Sequence, residues 1–315
     1  MIAFLLWYLV VLLTGWLAFP LAYRLLPGLP DRGYSLARAL GLLVWGYVFW
    51  FLASIGILQN NIGGIFFALV ILAGLSTWAG WRDRFASLRT WVSEHKGTML
   101  ASEAVFLVAF AAWAYVRSAN PDISGTEKPM EMAFINAILH SSTFPPHDPW
   151  LSGYAISYYY FGYVMVAMLV QVTGVLSPVG FNLAIALWFG LTALGAYGLV
   201  YNLLVNKVVR PGEKLSFNLY SLPVLGPVFV LVVSNFEGIL DVLHGQGFLW
   251  STGPDGKMTS AFWQWLNILE LNAPPSPVNM SIPWFLRWIP TRPGGILWWR
   301  ASRVLSDFTL SGDWR

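Results

Sequence analysis

The sequence predicts an all-α, polytopic integral membrane protein, and three observations carry that prediction. Hydrophobic residues make up 57% of the chain and charged residues only 10%, where soluble domains run to about 25% charged. Mean hydropathy is +0.61. The apolar residues also fall in runs of about 20, the length of helix that crosses a hydrocarbon core. The net charge of +3 resides largely in short loops between apolar runs, which the positive-inside tendency accounts for. It therefore implies no nucleic-acid partner. The absence of cysteine excludes disulfides, thiolate nucleophiles and Cys-ligated metals.

Taken in order, Ile2–Tyr23 is a first span. It lacks a basic n-region and is too long for the apolar part of a signal peptide, so it is expected to be retained. A short loop with Arg24, Asp31, Arg32 and Arg38 follows. No charge occurs between Ala39 and Trp81, and Gln59-Asn60-Asn61 with Gly63-Gly64 divides this run into helices Ala39–Leu58 and Ile62–Gly80. The loop Arg82–Lys96 is basic and reads as cytoplasmic, and Met99–Val116 is the fourth span. Glu103, near the start of that span, is expected at the cytoplasmic interface.

The next stretch holds most of the chemistry. Asp122, Glu127, Lys128, Glu131, His140, His147 and Asp148 are gathered between long apolar runs, just before three consecutive tyrosines, Tyr158, Tyr159 and Tyr160. Charge is costly inside a bilayer and tends to be kept where it acts. Ser124-x-x-Glu127 fits a capping box, and Pro129 suits an early helical position. Met130, Phe134, Ala137 and Ile138 recur at helical spacing, predicting an amphipathic surface helix Pro129–His140 of roughly 18 Å. The prolines at 145, 146 and 149 then require a rigid non-helical return.

Tyr154–Gly174 is apolar enough to span, Val179–Val205 is a clear span, and Phe217–Asn235 reads as another. If Tyr154–Gly174 crosses, Lys207, Arg210 and Lys214 fall on the side of the acidic stretch, against the positive-inside tendency. A juxtamembrane or re-entrant helix there makes the basic loop cytoplasmic and puts Glu237, Asp241 and His244 on the face of Asp122, Glu127 and Asp148. That arrangement is the expected one. The last 79 residues hold eight of the 18 tryptophans, and Met258–Leu271 is expected to be a short interfacial helix. The expected division is thus a three-span region 1–98, a core 99–236 with an extracytoplasmic loop 117–153, and a Trp-rich interfacial region 237–315.

Four separated motifs carry a resemblance: Gly125-Thr-Glu-Lys-Pro-Met-Glu131, Pro145-Pro-His-Asp-Pro-Trp-Leu-Ser-Gly153, Tyr158-Tyr-Tyr-Phe-Gly162 and Trp298-Trp-Arg-Ala-Ser-Arg303. Over about residues 99–315 the chain resembles an uncharacterised prokaryotic membrane-protein family named for its triple tyrosine. Members of that family continue into a further acidic and histidine-rich motif, so the chain is expected to be a piece of a longer protein.

In layout it also resembles the GT-C glycosyltransferases, in which a span leads to an extracytoplasmic acidic loop, a juxtamembrane helix, a proline-containing return and a further helix. Residues 99–174 follow that order, with Thr126-Glu127 where many such enzymes have Asp-Glu. The resemblance implies a polyprenyl-phosphate-linked sugar as donor. Glu127 is then the catalytic base, with Asp122 in reserve. Asp122, Asp148 and Glu237 become candidate ligands for a divalent metal such as Mg or Mn. Lys128 or Arg117 is the phosphate partner, and His147, Asp148 and the three tyrosines are substrate-binding groups. The plainer readings stand beside these. Glu127 is half of a capping box, His147-Asp148 fixes a turn, and the tyrosines anchor an interface and cannot all line one site. A non-catalytic transporter, lipid-handling or assembly protein is the alternative, although residues 149–206 lack the ionisable groups that ion-coupled transport places at the midplane.

Overall fold

The computed structural model describes residues 1–81, 84–125, 127–208, 216–268 and 271–275. The chain divides into two compact units, Met1–Val230 and Leu231–Arg315. The motif at 298–303 and the basic residues Arg210 and Lys214 lie outside the described residues, as does Thr126.

The first unit is a helical bundle built on α1 (Ile2–Leu25), α2 (Ala37–Ser54), α3 (Ile62–Gly80), α5 (Lys96–Ala119) and α8 (Ser177–Val208). Among the described residues these are the five helices long and apolar enough to cross a membrane. A short helix α4 (Arg84–Glu94) occupies the basic segment before α5. Bilayer helices associate through close packing of small residues rather than through hydrophobic exclusion from water, and two glycines illustrate it. A Cβ on Gly41 of α2 would sit 2.6 Å from the Thr14 carbonyl oxygen of α1, and one on Gly198 of α8 would meet the Ser35 side chain at 2.0 Å. Trp7, Trp45, Ile65, Phe106, Val164 and Leu187 belong to a single buried cluster, so the segments on both sides of residue 98 share one core.

Both ends of this bundle can be identified from their contacts. At one end the loop after α1 is tied to α8: the Asp31 amide donates to Asn202 Oδ1 at 3.0 Å, while the buried Asp31 carboxylate accepts from the amides of Gly33 and Ser35. Thr98 at the start of α5 meets the Tyr201 hydroxyl at 2.8 Å. This end carries Arg24, Arg32, Arg89, Lys96 and Lys207. The opposite end carries the acidic stretch, with α6 (Lys128–His140), the proline-rich return and the first turn of α8.

The helix α7 (Phe161–Thr173) turns back within the bundle. It has 13 residues, which is about 20 Å of helix and short of a crossing. Phe161 packs on Trp50 near the C-terminal end of α2, Met165 lies over Gly46, and Val170 faces Gly180 in the first turn of α8. Gly174 closes α7 in the left-handed conformation. Asn182 of α8 is already back beside Arg117 and Pro121. At 13 residues, α7 is shorter than a crossing helix, and Lys207 lies at the basic end.

Phe217–Asn235 does not form the expected span. It is split into α9 (Asn218–Ser221), a 3₁₀ turn at Leu222–Val224, α10 (Leu225–Leu231) and a 3₁₀ turn at Val233–Asn235. Pro223 and Pro227 lack the amide protons that a continuous helix requires. Glu237, Asp241 and His244 belong to the second unit, and the side chains of Glu237 and Asp241 lie outside the described residues.

Within the second unit, α11 (Phe236–Gly245) precedes a two-residue hairpin, β1 (Ser251–Thr252) with β2 (Met258–Thr259), and then α12 (Ala261–Leu266). The helix expected over Met258–Leu271 is shorter, because Ser260 caps α12 and Asn267 ends it at φ 52°. His244 has a structural role. Its ring is buried against Trp250 and Trp263, with Nε2 2.8 Å from the Ala273 carbonyl.

Candidate functional site

The surface helix α6 is the centre of the acidic end, but its start differs from a capping box. Glu127 occupies the N-cap position with no side-chain cap bond. Ser124 turns the other way: its amide donates to Asp122 Oδ1 at 3.1 Å and its hydroxyl donates to Asp122 Oδ2. Gly125, at φ 77°, reverses the chain just after it. This Asx turn draws the Asp122 carboxyl below the usual carboxylate range, chiefly through the Ser124 hydroxyl and amide, with Lys128 adding attraction. Glu127 is thereby left exposed.

The C-terminal end of α6 is held by a residue that reads in the sequence as a plain turn. Asn60 is 9% exposed, and its Nδ2 donates to the carbonyls of Ile138 and Ser141, each at 2.6 Å. The Asn60 amide also donates to Ser142 O at 2.9 Å. Such bonds meet carbonyls that a helix end otherwise leaves unpaired. Asn61 caps α3 through the Gly64 amide. The α2–α3 turn is thus the clamp that sets α6 on the bundle. Phe134, Ile135 and Ile138 form the buried face of α6.

The return loop uses its polar residues locally. Asp148 Oδ1 accepts from the amides of Trp150 and Leu151 at 2.8 and 2.9 Å, and the Asp148 amide donates to Tyr154 O at 2.9 Å. His147 bridges Ala155 through the backbone, and its amide donates to Ser141 Oγ at 3.0 Å. The plainer reading of His147-Asp148, that it fixes a turn, matches this geometry.

The tyrosine triplet diverges, as expected of neighbouring positions. Tyr160 points into the bundle, accepting from Trp50 Nε1 at 3.0 Å and stacking on Phe144. Tyr158 and Tyr159 stay at the surface, rings 4.0 Å apart, with the Tyr158 hydroxyl donating to that of Tyr159 at 2.8 Å. That bond, then desolvation and the neighbouring Tyr159, with smaller contributions from Glu127 and Glu131, pushes the Tyr158 phenol up to about 12. The Tyr163 hydroxyl, one turn into α7, donates to Glu131 Oε1 at 3.3 Å. The resulting group is Glu127, Glu131, Tyr158, Tyr159 and Tyr163. Glu131 and Tyr163 were not singled out as site residues in the sequence. The signal that marks Glu131 is its position one helical turn after Glu127.

Arg117 is fixed elsewhere on the same end. Its Nε donates to Asn182 Oδ1 at 2.9 Å and one terminal nitrogen donates to Asp122 O at 3.3 Å. It edges a groove of about 490 Å³ between the ends of α1, α5 and α8, with Phe4, Ala114, Val179 and Leu183 among its apolar walls.

Among the described residues no three His, Asp or Glu side chains converge as metal ligands. Both oxygens of Asp122 and one of Asp148 are engaged in turns, and the Glu237 side chain lies outside the described residues. Among the described residues, then, the proposed ligands Asp122 and Asp148 are not drawn together into a metal site.

No match was found among curated proteins or among solved structures. A family model described as "Uncharacterized membrane protein (DUF2298)" matches residues 44–311. That region includes the site helix, the return loop, the tyrosines and most of the bundle, and the chain belongs to this family of membrane proteins.

Proposed function

We propose that the protein is a membrane glycosyltransferase, transferring a sugar from a polyprenyl-phosphate donor to an acceptor at the acidic, extracytoplasmic end of the bundle. The observation that carries this reading is Glu127. It is an exposed carboxylate that the expected capping box does not consume, placed on a surface helix between a crossing helix and a re-entrant one. The order of elements resembles the GT-C layout, which supports the reading. Orientation follows from the basic residues at the opposite end.

In this reaction Glu127 takes the proton from an acceptor hydroxyl as its oxygen attacks the anomeric carbon, and the bond from that carbon to the phosphate oxygen breaks. Lys128, the next residue, meets the departing phosphate. Tyr158 remains a neutral phenol throughout the physiological range, so together with Tyr159 it offers sugar hydroxyls a donor and a stacking face. Transport has less support. The buried ion pair Arg38–Glu103 is held by two tyrosine hydroxyls near the basic end, a fixed arrangement and not an open ion path.

The test is Glu127→Gln in the full-length protein, assayed in membranes supplied with lipid-linked sugar. Transfer should be abolished while membrane insertion is unchanged. Retained transfer would overturn the base assignment.

A further inference from the structure

We infer that the groove between α1, α5 and α8 is a binding site for one anionic phospholipid, whose phosphate is held by Arg117 and one of whose acyl chains lies along the apolar walls. Arg117 stands in the last turn of α5, level with the first turns of α1 and α8, which is headgroup depth for a bundle whose crossing helices end there. Its guanidinium is oriented by two neutral acceptors, Asn182 Oδ1 and the Asp122 carbonyl. The Asp122 carboxylate is turned to Ser124, bonding its amide and hydroxyl, and attracts Arg117 only through space. A guanidinium already aligned by two bonds, with further N–H groups to offer, suits the forked geometry of a phosphate.

The rest of the groove is mostly apolar, with Tyr115, Ser118 and Asn182 as its other polar side chains. Phe4, Ala111, Ala114, Val179 and Leu183 line it, and its volume of about 490 Å³ lies within the range that encloses small ligands. Arg117 among mostly apolar walls, with Ser118 and Asn182 beside it, complements a ligand with one anionic, hydrogen-bonding head and one hydrocarbon tail. The occupant is a resident bilayer lipid and not the sugar donor, because neither Glu127, Lys128 nor Glu131 contributes to the groove. A lipid seated there presents its phosphate to Arg117 and not to the proposed base, so this inference does not depend on the transferase reading.

The test is native mass spectrometry of the full chain, released from nanodiscs of zwitterionic phosphatidylcholine doped with phosphatidylglycerol or with a polyprenyl phosphate. Wild type should retain one phosphatidylglycerol, with apparent affinity about tenfold or more above phosphatidylcholine, the scale of one charge-assisted contact. Arg117→Ala should abolish that preference, and Arg117→Lys should restore part of it. Val179→Trp, which fills the groove from a half-exposed position, should also reduce retention while leaving Arg117 in place. Unfolding temperature in detergent identifies any variant that has failed to fold. Equal retention by wild type and both groove variants would overturn the site. Preferential retention of the polyprenyl phosphate would overturn the phospholipid assignment.

Discussion

Arg38 on α2 and Glu103 on α5 form an ion pair inside the bundle, with side chains only 4% and 23% exposed. The Tyr34 hydroxyl donates to Glu103 Oε1 at 2.6 Å, Tyr8 approaches Oε2 at 3.5 Å, and the Arg38 guanidinium lies 4.6 Å from the Phe106 ring centroid. Glu103 is therefore not a free interfacial carboxylate, which is how its sequence position reads. It locks α1, α2 and α5 together. Glu103→Gln leaves a buried cation without its partner and should lower stability by about 3 kcal/mol, whereas the double change Arg38→Met with Glu103→Leu should recover most of that loss. Unfolding in detergent, compared across the single and double variants, measures it.

Asn60 fastens the C-terminal end of α6 from outside the helix. Asn60→Ala removes two donors from the Ile138 and Ser141 carbonyls. Leaving such groups unmet costs about 1–3 kcal/mol. Amide exchange should accelerate over residues 134–144 and change little in α5 and α8. Uniform acceleration would mean that Asn60 supports the bundle as a whole.

The Asx turn at Asp122 makes a prediction with a definite sign. Its carboxyl is held below the usual value by Ser124, so the turn gains order above the ordinary carboxylate range and loses it as pH falls through the depressed value. A carboxyl ¹³C titration of Asp122 should give a midpoint below 3.8, the ordinary value. Ser124→Ala should move that midpoint upward. An unmoved midpoint would assign the depression to the residue-124 amide, which alanine retains, ahead of Lys128.

The absence of cysteine makes the re-entrant α7 simple to test. Ser152→Cys in the return loop should react with an impermeant thiol reagent added outside intact cells. Asn206→Cys, exposed near the end of α8, should react only after permeabilisation. Labelling of both from the same side would contradict an α7 that turns back.

Most helices of the first unit are legible in the amino-acid sequence, because an apolar run of bilayer length is a local property. Ile62–Gly80 is found at its expected bounds, and α6 starts one residue from its expected start. The same reasoning overextends at Phe217–Asn235, where hydropathy alone does not register that Pro223 and Pro227 interrupt the helix. At the site, composition marks the acidic stretch and its tyrosines but not their grouping. The capping pattern at Ser124 and Glu127 is undone by an Asp two residues before the Ser, which competes successfully for the same hydroxyl.

The class of protein, the apolar helices of bilayer length and the stretch where polar residues gather are written in the order of amino acids, since each depends on neighbours in the chain. Only the tertiary structure decided which partners meet across it: Arg38 with Glu103, Asn60 with the end of α6, and Arg117 with Asn182. These pairs are 65 to 78 residues apart. No periodicity encodes them, because a buried polar group is satisfied by whatever donor or acceptor helix packing brings to it. Glu127 is exposed without a cap bond for the same kind of reason: its neighbours settle their hydrogen bonds without it.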